Sequence, residues 1–371
     1  MNLSDSVIQS SRKFKTPYLL VDLQLLDNKY SLLRDSLVDI EIFYAMKAND
    51  NKIICKRLLD QGAGFEVSSL NETKKLIEIG VMPEKIMCLN PIKSPEFLKY
   101  MFEKNIDIMA IDSYDEVDKI ASCAPESKVL VRISVPETGS TFPLGNRYGV
   151  NPTEAVKMLS YAKNKGLIPY GITFHVGSQN PNYESWDEAL KLVRKVYNGF
   201  KEEGGVPLEL VSLGGGIPVE YTVPIPPIKE ICENIVSAKK KNFPDEDGLK
   251  FSIEPGRGLV GDAGVMVATI VGRSERDGEQ WLFLDCGVYN GLMEITGGFR
   301  FNFVSESANA KVKTTIAGPS CDSFDVVAEH IEFPNSKIGD KVYVLDVGCY
   351  STVFASEFNG FEIPTTHFLN E

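Results

Sequence analysis

Lys47 closes an apolar run, Ile40-Glu-Ile-Phe-Tyr44, inside the stretch Phe43-Tyr-Ala-Met-Lys-Ala-Asn49. A lysine where a strand meets solvent is ordinarily a solvated end. It gains meaning when other reactive residues stand at equivalent places, and here three motifs do. Gly214-Gly-Gly216 follows a second apolar run, and side-chain-free backbone can approach a ligand and aim its amides at an anion. The spacing is not G-x-G-x-x-G, so a plain tight turn is the competing reading. Glu254-Pro-Gly-Arg257 ends a third run with a carboxylate, a glycine and a cation suited to phosphate. His175-Val-Gly-Ser178 places an imidazole and a hydroxyl at a fourth, where the ring is either structural or a flat surface for an aromatic ligand.

A lysine amine, an anion cradle and a carboxylate for a ring nitrogen together describe a pyridoxal phosphate site. The lysine amine binds the aldehyde, its reactivity raised by nearby charge and partial desolvation. The carboxylate keeps the pyridine nitrogen protonated, which makes the ring a sink for electrons released at Cα.

These residues need elements that bring them together. Short strand-like runs alternate with amphipathic helices: Ile42–Ala45, Gly64–Val67, Ile86–Leu89, Ile108–Ile111, Val129–Ile133, Gly171–Phe174, Leu210–Leu213 and Phe251–Ile253. Most are continuously apolar, as parallel strands buried on both faces are. Ser69-Leu-Asn-Glu72, Ser113-Tyr-Asp-Glu116 and Ser185-Trp-Asp-Glu188 fit the capping box, and Asn151-Pro152 reads as a cap with proline at the first helical position. Gly62, Gly80 and Gly166 read as helix stops. Eight such units predict a (β/α)8 TIM barrel, with a doubly wound sheet as the alternative. In a barrel, Lys47, Glu66, Asn90, Asp112, Arg132, His175 with Ser178, Gly214–Gly216 and Glu254–Arg257 all reach one mouth. After Arg257 the rhythm changes to Val265–Val271, Gln280–Leu284, Lys311–Ile316, Val326–Ile331 and Lys341–Leu345, punctuated by glycines. The expected division is a barrel over 22–260 and an all-β domain from 1–21 plus 261–371, the early strand at 17–22 joining the latter. Residues 218–228, rich in proline, read as a barrel loop.

Bulk properties narrow the partners. The 371 residues carry 39 Lys+Arg against 51 Asp+Glu, a formal charge of -12, which disfavours nucleic acid and anionic membrane surfaces. No apolar run is long enough for a membrane span, and no basic segment leads into an apolar one at the N-terminus. The odd count of seven cysteines, scattered and without C-x-x-C, and three distant histidines argue for reduced thiols in a cytoplasm and against a metal cluster.

Seven motifs in order carry a resemblance over nearly the whole chain: Tyr44-Ala-Met-Lys-Ala-Asn49, Gly64-Phe-Glu-Val-Ser-Ser69, His175-Val-Gly-Ser-Gln179, Gly214–Gly216, Glu254-Pro-Gly-Arg257, Gly318-Pro-Ser-Cys-Asp-Ser323 and Phe358-Asn-Gly-Phe361. The sequence resembles the fold-type III pyridoxal phosphate decarboxylases, in particular the ornithine/lysine decarboxylase group with its bacterial members. The resemblance implies an alanine racemase-like barrel with a C-terminal β domain, and a head-to-tail homodimer with shared active sites. By position it makes Lys47 the cofactor-bearing lysine, with His175 stacked on the ring and Glu254 on the pyridine nitrogen. Ser178, Gly214, Gly215, Gly216, Gly256, Arg257 and Tyr350 would hold the phosphate. Glu66, also at the cofactor, stands where the family usually has aspartate, keeping the charge. Cys321 would come from the partner subunit and protonate Cα, and its acidic neighbours Asp322 and Asp325 suit a proton donor better than a nucleophile. Asp322, with Tyr289, Arg300 and Phe358, would meet the substrate.

One segment departs from the pattern. Where bacterial relatives place acidic residues for a distal ammonium, this chain has Gly297 and Gly298, with Arg300 close by and Glu294 as a carboxylate able to compensate. The expected activity is decarboxylation of ornithine or lysine to putrescine or cadaverine, a step of polyamine biosynthesis. The alternative is a modified or acid-bearing diamino acid from siderophore or secondary-metabolite biosynthesis, since an arginine favours a carboxylate. A catalytically dead regulatory homologue is a third reading, disfavoured by the joint retention of Lys47, His175, Glu254 and Cys321. Racemase activity on the same fold is disfavoured by Glu254 and the Cys-Asp pair.

Overall fold

The computed structural model describes residues 4–244 and 248–371. Residues 1–3, which fall in the stretch assigned above to the β domain, and 245–247 lie outside the described residues. The chain forms two compact units: one of Met1–Lys29, Val219–Ile225 and Arg257–Glu371, the other of Tyr30–Pro218 and Pro226–Gly256.

The second unit is the barrel. Its eight strands are Glu41–Ala45, Gly64–Glu66, Ile86–Met87, Ile108–Ile111, Lys128–Arg132, Ile168–Thr173, Leu210–Ser212 and Lys250–Ile253. Every pairing is parallel, in the order expected of consecutive βα units, and Lys250–Ile253 returns to pair with Glu41–Ala45. The ring closes where Cys88 bridges Met109, its amide and carbonyl bonding Ile108 and Ala110. The doubly wound alternative is therefore excluded. Phe43, Met87, Leu89, Ala110, Leu130, Tyr170 and Leu210 form one buried cluster drawn from six strands, so the barrel centre is filled with side chains and the chemistry is left to its rim.

The helix signals act as read at three of four starts. Ser69, Ser113 and Asn151 each accept a hydrogen bond from the amide three residues on. Ser185 does not cap. Its helix begins one residue earlier, at Glu184, and the Ser185 hydroxyl instead donates to the Thr138 carbonyl at 2.9 Å and accepts from Asn180 at 3.3 Å. Tertiary partners took the hydroxyl, and the Asn182 side chain accepts the Glu184 amide in its place.

The other unit is built on one sheet. Gly264–Arg276 is its spine: the first half pairs with Lys341–Leu345 and Tyr18–Asp22, and the second with Glu279–Leu284 after a register shift between Ile270 and Gly272. Lys311–Ala317 and Val326–Pro334 extend the sheet, and Thr365–Leu369 runs parallel to Tyr18–Asp22. Tyr18, Leu20, Val267 and Tyr343 form its buried core with Val7. Of the stretch read as a barrel loop, Val219–Ile225 belongs to this unit: Tyr221 packs edge-on against Phe299 and Phe301, and its carbonyl accepts from Asn302. No helix among the described residues is long and apolar enough to cross a membrane.

Candidate active site

Each barrel strand delivers a polar or backbone-exposing residue at or just past its C-terminal end: Lys47, Glu66, Asn90, Asp112, Arg132, His175, Gly214 and Glu254. Lys47 sits in a single 3-10 turn, Met46–Ala48, between buried Met46 and Ala48. Its Nζ donates to Glu66 Oε2 at 2.8 Å; the lysine side chain is 43% exposed and the glutamate 2%. The amine is thus reachable while its carboxylate partner is fixed in the wall.

Glu254 lies across the same rim, buried, and accepts a hydrogen bond from the Ser212 hydroxyl. Burial, and secondarily the charge of Glu66, pushes its carboxyl up to about 7, against the pull of Lys47 and Arg132. His175 is held well below the usual histidine range by desolvation, with Arg132 and Lys47 adding to it. Its Nδ1 accepts the Gly177 amide at 3.0 Å, so the neutral ring carries its proton on Nε2. Arg132 stacks over Tyr148, 5.1 Å from the ring centroid, among Glu254, Asp112 and Glu66.

The three glycines are required rather than permitted. Gly214 has φ +62, and a Cβ there would stand 2.1 Å from the Phe174 carbonyl oxygen. A Cβ on Gly215 would be 2.9 Å from the Glu254 carbonyl oxygen and 3.0 Å from His175 Nε2. The backbone therefore comes up against the imidazole with no side chain between them, and only glycine leaves that space open. Ser178 is pinned through its backbone to Phe142, the amide donating at 3.0 Å and the carbonyl accepting at 3.2 Å. An amine, a buried carboxyl close to the protonation range of a pyridine, a neutral imidazole and a glycine cradle fit pyridoxal phosphate. Among the described residues no group of three or more His, Cys, Asp and Glu could hold a metal ion.

In the β unit, Cys321 is exposed, with its thiol 3.7 Å from Asn359 Oδ1. Asp322 accepts the Tyr289 hydroxyl at 2.9 Å, and the Phe358 ring lies 4.3 Å from that of Tyr289. The Phe324 amide, and next the Tyr289 hydroxyl, hold the Asp322 carboxyl below its ordinary range. Sequence reasoning named Asp325 only as an acidic neighbour of Cys321 and missed that it fastens these loops together. Asp325, buried, accepts the amides of Val288 at 2.7 Å and Ser320 at 3.0 Å, and its carboxylate fills the space a Cβ would need at Gly287 and Gly318. It also missed Ser212, whose signal was a hydroxyl in the otherwise apolar run Leu210–Leu213. Arg300 is exposed and caps its own segment, donating to the carbonyls of Phe299 at 2.8 Å and Ile295 at 3.3 Å. Glu294 pairs with Arg257, whose guanidinium also lies 4.9 Å from the Tyr350 ring centroid.

Comparison with known proteins agrees with this geometry. The family model for the pyridoxal-binding domain of pyridoxal-dependent decarboxylases matches residues 23–261. A lysine/ornithine decarboxylase from Selenomonas ruminantium is 33% identical over 369 residues, 98% of this chain and 92% of that protein. The crystal structure of SrLDC in complex with PLP and cadaverine superimposes with a TM-score of 0.93 at 32% identity, over 100% of this chain and 94% of that one. The lysine/ornithine decarboxylase from Vibrio vulnificus, complexed with cadaverine, gives 0.93 at 28% identity, over the whole of both chains. With the closed parallel barrel and its lysine, carboxyl and glycine rim, these likenesses make the chain a member of the pyridoxal-dependent decarboxylase family, of fold type III.

Proposed function

We propose that this chain decarboxylates a basic amino acid, ornithine or lysine, to the corresponding diamine, using pyridoxal 5'-phosphate held at Lys47. The observation that carries the reading is the reachable Lys47 amine, tied to buried Glu66, on the same barrel rim as a buried Glu254 and a glycine cradle. The bound cofactor supplies an electron sink for the pair released when the Cα–carboxylate bond breaks. Lys47 holds the aldehyde between turnovers. Glu254 keeps a proton at the ring nitrogen, a task suited to a carboxyl pushed up to about 7. Neutral His175 would face the cofactor ring, and Ser178, Gly214–Gly216, Gly256, Arg257 and Tyr350 would hold the phosphate.

Cys321 gives the proton that replaces carbon dioxide at Cα. Asp322 receives the distal ammonium beside Tyr289 and Phe358; its depressed carboxyl supports an ionised partner for a cation. The shared site of a homodimer, with Cys321 supplied by the partner subunit, belongs to the same reading, as does a cytoplasmic setting for seven free cysteines. Mixing inactive Lys47→Ala and Cys321→Ala subunits should then restore part of the activity, up to roughly a quarter under random pairing. Absence of recovery despite demonstrated subunit exchange would count against a shared site.

One observation favours a second reading. Glu294 is committed to Arg257 and does not replace the acidic residue that Gly297 and Gly298 lack. With fewer carboxylates to capture a free distal ammonium, the preference for ornithine or lysine is weakened, which leaves room for a modified or acid-bearing diamino acid. A mass-spectrometric screen separates the two. Carbon dioxide loss from ornithine or lysine at an ordinary enzymic rate, about 1 per second or above, supports the first. Turnover confined to acyl- or carboxy-bearing diamino acids would replace it with the second.

A further inference from the structure

Arg257 follows Gly256 at the end of the Glu254-Pro-Gly-Arg257 motif and is the side chain through which the chain offers a full positive charge to a phosphate. That charge already has an internal anion. Glu294 meets the guanidinium at both tips, Oε2 to Nη1 at 2.7 Å and Oε1 to Nη2 at 2.5 Å, with the two side chains only 8% and 5% exposed. Nη1 also donates to the Tyr221 hydroxyl at 2.6 Å, Cys349 Sγ lies at 3.7 Å, and the cation rests on Phe299, 4.1 Å from its ring centroid. A fork-to-fork carboxylate is the strongest partner a guanidinium finds among protein groups. Nor does the glutamate swing on a loose loop. It sits on the 3-10 turn Met293–Gly297, which ends at left-handed Gly298 with φ +91 and is clasped by Arg300 through the Ile295 and Phe299 carbonyls.

A phosphate near its second ionisation and a carboxylate sharing one guanidinium repel each other, the more strongly where little water screens them. We propose that Glu294 is a built-in competitor for the cofactor phosphate at Arg257: it holds the guanidinium when the phosphate is absent and weakens phosphate retention when it is present. The inference rests on the pyridoxal phosphate reading above and deepens it, by giving this family member a tunable grip on its cofactor. It also assigns a purpose to the clasp of Arg300, which keeps the competing carboxylate in place.

The test is cofactor affinity, measured without substrate. Apoprotein and its Glu294→Gln variant, which keeps the shape and one acceptor but not the charge, are titrated with pyridoxal phosphate. The readouts are the lysine-bound absorbance and, separately, thermal stabilisation by inorganic phosphate alone. The variant should bind the cofactor about tenfold more tightly or better, equivalent to about 1.4 kcal/mol, and be stabilised by inorganic phosphate at lower concentration. Unchanged or weaker affinity in a folded variant overturns the proposal and makes Glu294 a brace for Arg257. Glu294→Asp, which keeps the charge but draws it back by one methylene, gives a second reading if the glutamine variant does not fold. Tightening there supports competition, and no change or loss opposes it. Failure of the underlying reading looks different: wild-type protein would then gain no absorbance dependent on Lys47.

Discussion

Lys47→Ala protein supplied with pyridoxal phosphate is expected to show none of the visible absorbance of a lysine-bound cofactor, and its turnover should fall on the order of 10⁴-fold or more. In the proposed mechanism the Lys47 amine is the nucleophile, and the other seven strand ends carry Glu66, Asn90, Asp112, Arg132, His175, Gly214 and Glu254, none of them a lysine. Removing it has a second effect. Glu66, buried at 2% exposure, loses the ammonium 2.8 Å away, so a drop in stability accompanies the drop in activity. Lys47→Arg separates the two, because a guanidinium can keep the pair with Glu66 yet forms no stable link to an aldehyde. Both variants should lose the absorbance and the turnover, while the arginine variant keeps more of the stability. An unchanged cofactor spectrum in either would remove Lys47 from the mechanism.

Glu254→Gln should lower kcat on the order of 10²–10³-fold while still binding the cofactor, since a neutral amide cannot hold the ring nitrogen protonated. In the cofactor-free protein the same change should be stabilising. The folded protein holds the Glu254 carboxyl up to about 7, chiefly through burial, against an ordinary value of 4.5. Between those pH values the folded state binds the proton more readily than the unfolded chain, so this residue makes stability fall as pH rises through that window. Above about pH 7 the penalty is complete, at most about 2–3 kcal/mol given its coupling to the neighbouring charges. Glutamine has no charge to desolvate. Apo Glu254→Gln should therefore unfold later than wild type at pH 8, and the two should converge near pH 4 in a thermal-melt series. A variant equally active, or less stable at pH 8 than at pH 4 relative to wild type, would contradict the role assigned to the buried carboxyl.

Much of the barrel was legible because parallel strands buried on both faces leave a direct imprint: the apolar run Ile108–Ile111 coincides with the observed strand to the residue. Helix ends were legible where the cap is local, as at Ser69 and Asn151, and not where a distant group claims the same atom, as the Thr138 carbonyl does at Ser185. The rim chemistry could be read because a barrel fixes where strand ends go. Partnerships within it could not. Nothing in the spacing of Arg257 and Glu294, or of Asp325 with Gly287 and Gly318, encodes their meeting, which depends on how the loops of the β unit turn back. The pairing of Tyr18–Asp22 with Thr365–Leu369, separated by nearly the whole chain, is likewise a long-range result with no local signature.

The interleaving of the two units bears on dissection of the protein. The chain passes between them at Lys29, Pro218, Ile225 and Gly256, so neither unit is a contiguous stretch. A fragment trimmed to the matched residues 23–261 would carry Val219–Ile225 without Phe299, Phe301 and Asn302, stripping Tyr221 of its aromatic neighbours and leaving its carbonyl without the Asn302 donor. It would also contain Arg257 without Glu294. Such an excised barrel would present a sticky apolar strap and an uncompensated buried cation, and would be prone to aggregate. A protease nick at Pro218 or Ile225 divides both units between the two fragments, and one at Lys29 or Gly256 divides the β unit, so no single cut separates the two units from each other.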